Sequence, residues 1–126
     1  MSKESMVTMQ FGQKSLKYRL KITLQRFDIF FGPGVAELLE LVGKTGSISS
    51  AAKQMGMSYS KAWNMIRNME TELQCLIVQT HSGGQHGGSS KLTPDAVRFL
   101  DAYKQFEQEL EHAAGIIFER CFSNLS

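Results

Sequence analysis

Ser60, Asn64, Arg67, Asn68 and Thr71 fall on one arc of a helical wheel drawn over residues 59–73. At ~100° per residue, that arc lies opposite the apolar Ala62, Ile66, Met69 and Leu73. Asn carries a donor and an acceptor that fit the edge of adenine, and the forked donors of Arg fit guanine. Ser60 and Lys61, near the start of the same helix, suit phosphate contacts. These groups are equipped to read nucleic-acid edges rather than to supply a nucleophile and its base. An ordinary solvated polar face is the competing explanation, and the flanking elements decide between the two.

Upstream, Ile48, Ala51, Ala52 and Met55 form the stripe of a short amphipathic helix with Ser47 as its N-cap. Ala51 and Ala52 are small enough to let a second helix cross closely. Gly56 permits a left-handed exit from this helix, and Ser58 caps the next. Downstream, Leu76–Val78 reads as a buried strand, Ser82–Ser90 is glycine-rich, and Lys91-Leu92 returns the chain. Helix, tight turn, helix, strand and glycine-rich hairpin is the order of a winged helix-turn-helix. The loop Gly83-Gly84-Gln85-His86-Gly87-Gly88 could also cradle a phosphate. A P-loop, however, needs Gly-Lys-Ser/Thr leading into a helix, whereas Lys91 here leads into Leu92 and Thr93, and no GxGxxG fingerprint occurs. A wing would let Gln85, His86, Ser89, Ser90 and Lys91 reach the DNA backbone or minor groove; a loose connection is the alternative.

The positioning elements extend on both sides. Val35, Leu38, Leu39 and Val42 give a first helix, preceded by the break Gly32-Pro33-Gly34 and ended between Gly43 and Gly46. Residues 1–15 read as polar and loose. From Leu16 to Leu24 apolar and polar residues alternate, the period of a strand, with a hairpin return around Ile29–Phe31. Thr93-Pro94-Asp95 starts a last helix running to about Phe122. Phe99, Tyr103, Phe106, Leu110, Ala113 and Ile117 line it at alternating spacings of four and three, like a coiled-coil seam. Such a helix would be on the order of 40 Å long, too long for a small domain to cover, and a second copy of the chain is the simplest partner.

Composition narrows the function classes. With 126 residues, 42% of them hydrophobic, the chain suits one domain with a real core. Its net charge of +2 is mild but uneven: residues 1–27 hold six basic groups against Glu4 alone, and residues 94–126 hold three against six acidic ones. A basic front suits an anionic partner. Cys75 and Cys121 lie in no C-x-x-C or zinc pattern, so reduced core thiols in a cytoplasmic protein are expected. Neither a signal peptide nor an apolar run of ~20 residues is present, so no membrane partner is expected. His81 and His86 have only Cys75 near them in sequence, His112 sits among glutamates, and no HExxH, Ser-His-Asp ordering or paired-carboxylate pattern occurs. No metal, cofactor or enzymatic activity is expected. Trp63, flanking the buried arc, reads as a packing anchor rather than a stacking platform.

These residues together resemble the N-terminal DNA-binding domain of the molybdate-responsive ModE regulators, and more distantly the LysR-type helix-turn-helix. The resemblance covers about residues 30–105. It rests on Gly46-Ser47-Ile48, Ala51-Ala52-Lys53, Gly56, Ser58-Tyr59, Ala62-Trp63, the double-glycine wing and Leu92-Thr93; Phe31-Gly32-Pro33-Gly34 resembles stand-alone members. It implies a homodimeric transcription factor that dimerises through its first and last helices. Regulators of that kind bind molybdate in separate C-terminal domains, which a chain ending at Ser126 is expected to lack, so no small-molecule effector is expected within it. The expected fold is mainly α with a small β component: a strand region over 1–31, a winged helix over 33–93 and a long C-terminal dimerisation helix over 94–126. The expected partners are double-stranded DNA, read as a palindromic site, and a second copy. The candidate DNA contacts are Tyr59, Ser60, Lys61, Asn64, Arg67 and Asn68 on the third helix, and Gln85, His86 and Lys91 on the wing. A molybdate or oxyanion binder and a winged-helix protein-interaction module are the alternatives.

Overall fold

The computed structural model describes residues 3–4, 9–11, 14–81 and 89–125. Four helices, with short strands before and between them, make up this mainly α fold. Helix α1 (Pro33–Thr45) begins at a proline whose fixed φ suits the first helical position. It ends at Gly46, which takes a left-handed φ of 71° and donates its N–H to Val42 O. Leu38, Leu39 and Val42 on its stripe are fully buried. In α2 (Ile48–Gln54) the Ser47 hydroxyl accepts from Ser50 N, and in α3 (Tyr59–Leu73) the Ser58 hydroxyl accepts from Lys61 N, as the cap residues predict. Gly56 joins the two helices at a φ of 69°, a backbone that side-chain-bearing residues rarely adopt. Ala51, Ala52 and Ala62 are buried where α2 meets α3, and behind them lie Ile66, Met69 and Ile77.

Strands β7 (Val78–His81) and β8 (Ser89–Leu92) pair antiparallel, with Val78 opposite Leu92 and His81 opposite Ser89. They form the stem of the wing. Residues 82–88, including Gln85 and His86, lie outside the described residues. The stem is tied down at both ends. Ser90 N donates to Gly46 O at 2.8 Å, and Thr93 donates its hydroxyl to Leu76 O while accepting from Ala96 N as the cap of α4 (Pro94–Phe122).

In the N-terminal part the hairpin return at Ile29–Phe31 is present, but the strand expected from Leu16 to Leu24 is broken into short pieces, and short strands also occur within residues 1–15. The pieces are β1 (Lys3–Glu4), β2 (Met9–Phe11), β3 (Lys14–Leu16), β4 (Arg19–Leu20), β5 (Leu24–Gln25) and β6 (Ile29–Phe31). They pair two by two as β1–β4, β2–β3 and β5–β6. The alternation itself is real: Leu16, Tyr18, Leu20, Ile22 and Leu24 are each less exposed than the residues between them. They line this segment along α4. Tyr103 donates its hydroxyl to Ile22 O at 2.8 Å, and the rings of Tyr18 and Phe118 lie 4.8 Å apart. Phe31 then packs edge-on against Phe99 and Tyr103, joining hairpin and helix in one aromatic cluster.

Two other expectations are corrected. The strand starts at Val78 rather than Leu76, whose side chain is 63% exposed; the chain turns outward there after the left-handed Gln74 ends α3. Neither cysteine is fully buried in the core: Cys75 packs half-buried against it, and Cys121 is exposed. Partial burial, then the Asp95 and Glu70 carboxylates, still hold the Cys75 thiol above its ordinary pKa.

Burial, and secondarily the Glu107 charge, push the Tyr103 phenol up to about 12. Above an ordinary pKa of 10.0 the unfolded chain releases this proton while the folded chain keeps it until about 12. The contribution of Tyr103 is therefore fully present below pH ~10 and lost as pH rises through ~12. Tyr103→Phe is expected to remove this share of the alkaline loss and to cost about 1 kcal/mol at neutral pH through the missing hydrogen bond. Urea titrations from pH 7 to 12 check both.

Candidate nucleic-acid interface

Helix α3 turns its apolar side inward, with Ala62, Ile66 and Met69 fully buried. Two neighbouring ridges are left on its outer side. Ser60, Asn64, Asn68 and Thr71 form one, and all four are exposed. Tyr59, Trp63 and Arg67, four residues apart, form the other, on the side facing the wing. Lys61 is exposed at the helix start beyond the first ridge. The sequence placed Arg67 in one arc with the asparagines; its guanidinium instead lies over the Trp63 ring, 5.3 Å from the centroid. That is within the ~6 Å at which a cation is attracted to an aromatic face. Tyr59 meets the same indole edge-on at 6.3 Å. Trp63 is thus a stacking platform as well as a packing residue.

Between the Trp63 ridge and the wing stem lies a cleft of about 430 Å³. Its floor is Tyr59 and Trp63, and hydroxyls of Ser47, Ser49, Thr80 and Ser90 line its walls. Apolar rings beside hydroxyl donors suit a sugar–phosphate backbone, which presents an apolar sugar face and acceptor oxygens. Lys91 is exposed on β8 opposite Gln79, on the face of the wing stem that alternation turns away from the Thr80–Ser90 pair.

On the other flank of α3, Asn68 and Met65 share a groove of about 280 Å³ with Lys21, Thr23 and residues 29–35. Lys21 therefore flanks the outer side of α3, although no motif marks it. Its signal was the basic bias of the first 27 residues combined with the period-two alternation, which places Lys17, Arg19 and Lys21 on the outer side. The hairpin β5–β6 also grips the end of α3. Arg26 Nη1 donates to Glu72 O at 2.8 Å, and Asp28 N donates to Glu72 Oε1 at 3.3 Å. An Arg at the last carbonyls satisfies groups that a helix end leaves open. Of the sequence-derived candidates, Tyr59, Ser60, Lys61, Asn64, Arg67, Asn68 and Lys91 are all exposed. His81 stands exposed at the end of β7, and His112 is exposed on α4. Among the described residues no cluster of three or more His, Cys, Asp or Glu could hold a metal ion, and no helix is long and apolar enough to cross a membrane.

The family model of the bacterial regulatory helix-turn-helix protein, lysR family, matches residues 36–97, from α1 into the start of α4. The chain is similar to the transcriptional regulator ModE of Haemophilus influenzae, at 34% identity over 104 residues, which is 82% of this chain and 40% of that protein. It is similar to the DNA-binding transcriptional dual regulator ModE of Escherichia coli K12 at 32% over 98 residues, 78% of this chain and 37% of that one. It is also similar to the molybdenum-pterin-binding protein MopB of Rhodobacter capsulatus at 36% over 86 residues, 68% of this chain and 32% of that one. The chain thus spans about a third of the length of the curated relatives it matches. The matches to these relatives, the lysR-family match over the helix-turn-helix, and the outward polar ridge of α3 agree. Over this matched region the chain carries a ModE-type helix-turn-helix regulator domain.

Proposed function

We propose that this chain is a non-enzymatic transcriptional regulator that binds a palindromic DNA site as a homodimer. Residues 33–93 are its DNA-reading unit and α4 its dimer helix. Helix α3 enters the major groove, with Ser60, Asn64, Arg67 and Asn68 toward the bases. Lys61, Lys91 and the wing hold the backbone. The observation that carries this reading is the exposed, uninterrupted polar ridge on a helix whose opposite side is fully buried. Such a helix offers side chains to a groove without surrendering its packing.

The dimer is supported by the way α4 splits its apolar seam. Phe99 and Tyr103 pack into the chain's own aromatic cluster. Phe106, Leu110, Ala113 and Ile117 continue the same line but are exposed, with Phe106 and Ile117 at 47%. That line sits about a quarter turn from the helix face carrying Leu100, Glu107 and Phe118, so folding of a single chain leaves it bare. Two copies related by a two-fold axis would cover both seams and set two α3 helices ~34 Å apart or a multiple of it.

The cleft between α1 and α4 is lined by Glu37, Glu40 and Glu107 beside Lys44 and Lys104. An excess of carboxylates repels an oxyanion, and the proposal places no effector site in this chain. The molybdenum in relatives' names is left to those proteins.

Arg67→Ala is expected to cost about 1–3 kcal/mol of affinity for the selected site if the side chain reads a base bidentately. Fluorescence anisotropy with matched and base-substituted duplexes measures it; unchanged affinity removes Arg67 from this role. Leu110→Glu should shift the chain from dimer to monomer in sedimentation velocity while its circular dichroism stays helical. The same substitution should weaken binding to a two-half-site duplex by about a hundredfold, because the second half-site is no longer tethered. Calorimetry with molybdate or tungstate should give no saturable heat; tight binding would replace the DNA-only account.

A further inference from the structure

We infer that Trp63 is a positioning residue for sequence readout: its indole holds the Arg67 guanidinium in the orientation from which it meets a base. The inference rests on the reading that α3 recognises DNA. Arg67 is exposed, and among the described residues it makes no hydrogen bond or ion pair. A free arginine of this kind samples many rotamers, and ordering it on binding costs affinity. Here the guanidinium lies over the Trp63 ring at 5.3 Å. An aromatic face engages the flat of a guanidinium, and the N–H donors lie in its plane. The contact restrains the side chain, and because Arg67 makes no hydrogen bond among the described residues, the donors that a guanine edge requires stay available.

The platform is itself restrained. Trp63 is half-buried and packed against the core, and Tyr59 abuts it edge-on from one turn earlier. Tyr59, Trp63 and Arg67 thus form a chain of contacts along the wing-facing ridge, anchored to the core by Trp63 at its middle, with the exposed Tyr59 at one end and the charge at the other. Among the described residues, the ridge of Ser60, Asn64 and Asn68 has no comparable platform. A side chain so held is worth more to discrimination between bases than to general DNA affinity, since non-specific binding depends on charge and not on orientation.

The test is a double-mutant cycle on DNA binding with Trp63→Leu, Arg67→Ala and the pair, each measured on the selected duplex and on a scrambled duplex. If Trp63 acts through Arg67, Trp63→Leu lowers affinity for the selected site about fivefold or more. The double variant is then no worse than Arg67→Ala, and scrambled-site affinity moves little. Additive losses, or equal losses on both duplexes, would show that Trp63 supports the fold or meets the sugar–phosphate backbone itself rather than acting through Arg67, and would overturn the inference. Trp63→Phe keeps an aromatic face and guards against misfolding of the leucine variant; it should retain most of the discrimination. Trp63 is the chain's single tryptophan, so its emission reports the contact directly. Arg67→Ala should shift the emission of the free protein, and an unchanged spectrum counts against the contact. If no variant, nor the unaltered chain, prefers the selected duplex to the scrambled one, the DNA reading fails as well; additivity with that preference intact sinks the Trp63 role alone.

Discussion

The close approach of α2 to α3 is the constraint on which the rest of the molecule depends. Ala51 and Ala62 are fully buried and Ala52 almost so where the two helices meet. Methyl side chains there let the backbones come together, and larger ones would force them apart. The left-handed Gly56 turns the chain between them, and the Ser47 and Ser58 hydroxyls satisfy the N–H groups that each helix start would otherwise leave open. With the inner side of α3 committed in this way, its polar residues have only one direction to face. The reading surface follows from packing behind it.

Around this crossing the other elements act as braces. The wing stem is fastened to the α1–α2 turn by the Ser90–Gly46 hydrogen bond and to α4 through Thr93. The β5–β6 hairpin holds the far end of α3 through Arg26, Asp28 and Glu72. α4 is joined to the hairpin by the Phe31, Phe99 and Tyr103 rings, and to α1 by the Lys104–Glu40 ion pair at 3.2 Å. A binding surface built on braced elements loses little entropy on meeting a rigid partner such as duplex DNA. The proposed dimer seam belongs to the same frame. Because α4 is held near its start by the Phe31, Phe99 and Tyr103 rings and near its end by Tyr18 against Phe118, its bare seam lies at an angle fixed relative to α3, so pairing two seams would also fix the spacing of two reading helices.

Local signals in the chain were enough for most of this. The stripes of α1 to α4 follow the 3.6-residue period, and Ser47, Ser58 and Thr93 announce the helix starts because their capping bonds span only three residues. What escaped depends on distant partners. β1 pairs with β4 across fifteen or more residues, and no local pattern in Lys3–Glu4 foretells it. Leu76 looks like strand core, yet the left-handed Gln74 rotates it outward. The seam of α4 has one period throughout, and only the N-terminal segment decides which part of it is covered. Within the interface, wheel geometry found the asparagine ridge. It could not show that Arg67 leans onto Trp63, since both ridges are polar-tipped and a wheel has no rotamers. Lys21 escaped for a similar reason: its neighbour Asn68 is 47 residues away.

The central claim is that α3 and the wing read a specific DNA sequence in duplicate. Selection of bound duplexes from a random pool, followed by affinity measurements on the winner across a salt series, tests it most directly. The account predicts enrichment of an inverted repeat with half-sites one or more helical turns apart, and affinity that falls steeply as salt rises. A pool that yields no motif, together with binding that is weak and indifferent to salt, would contradict it.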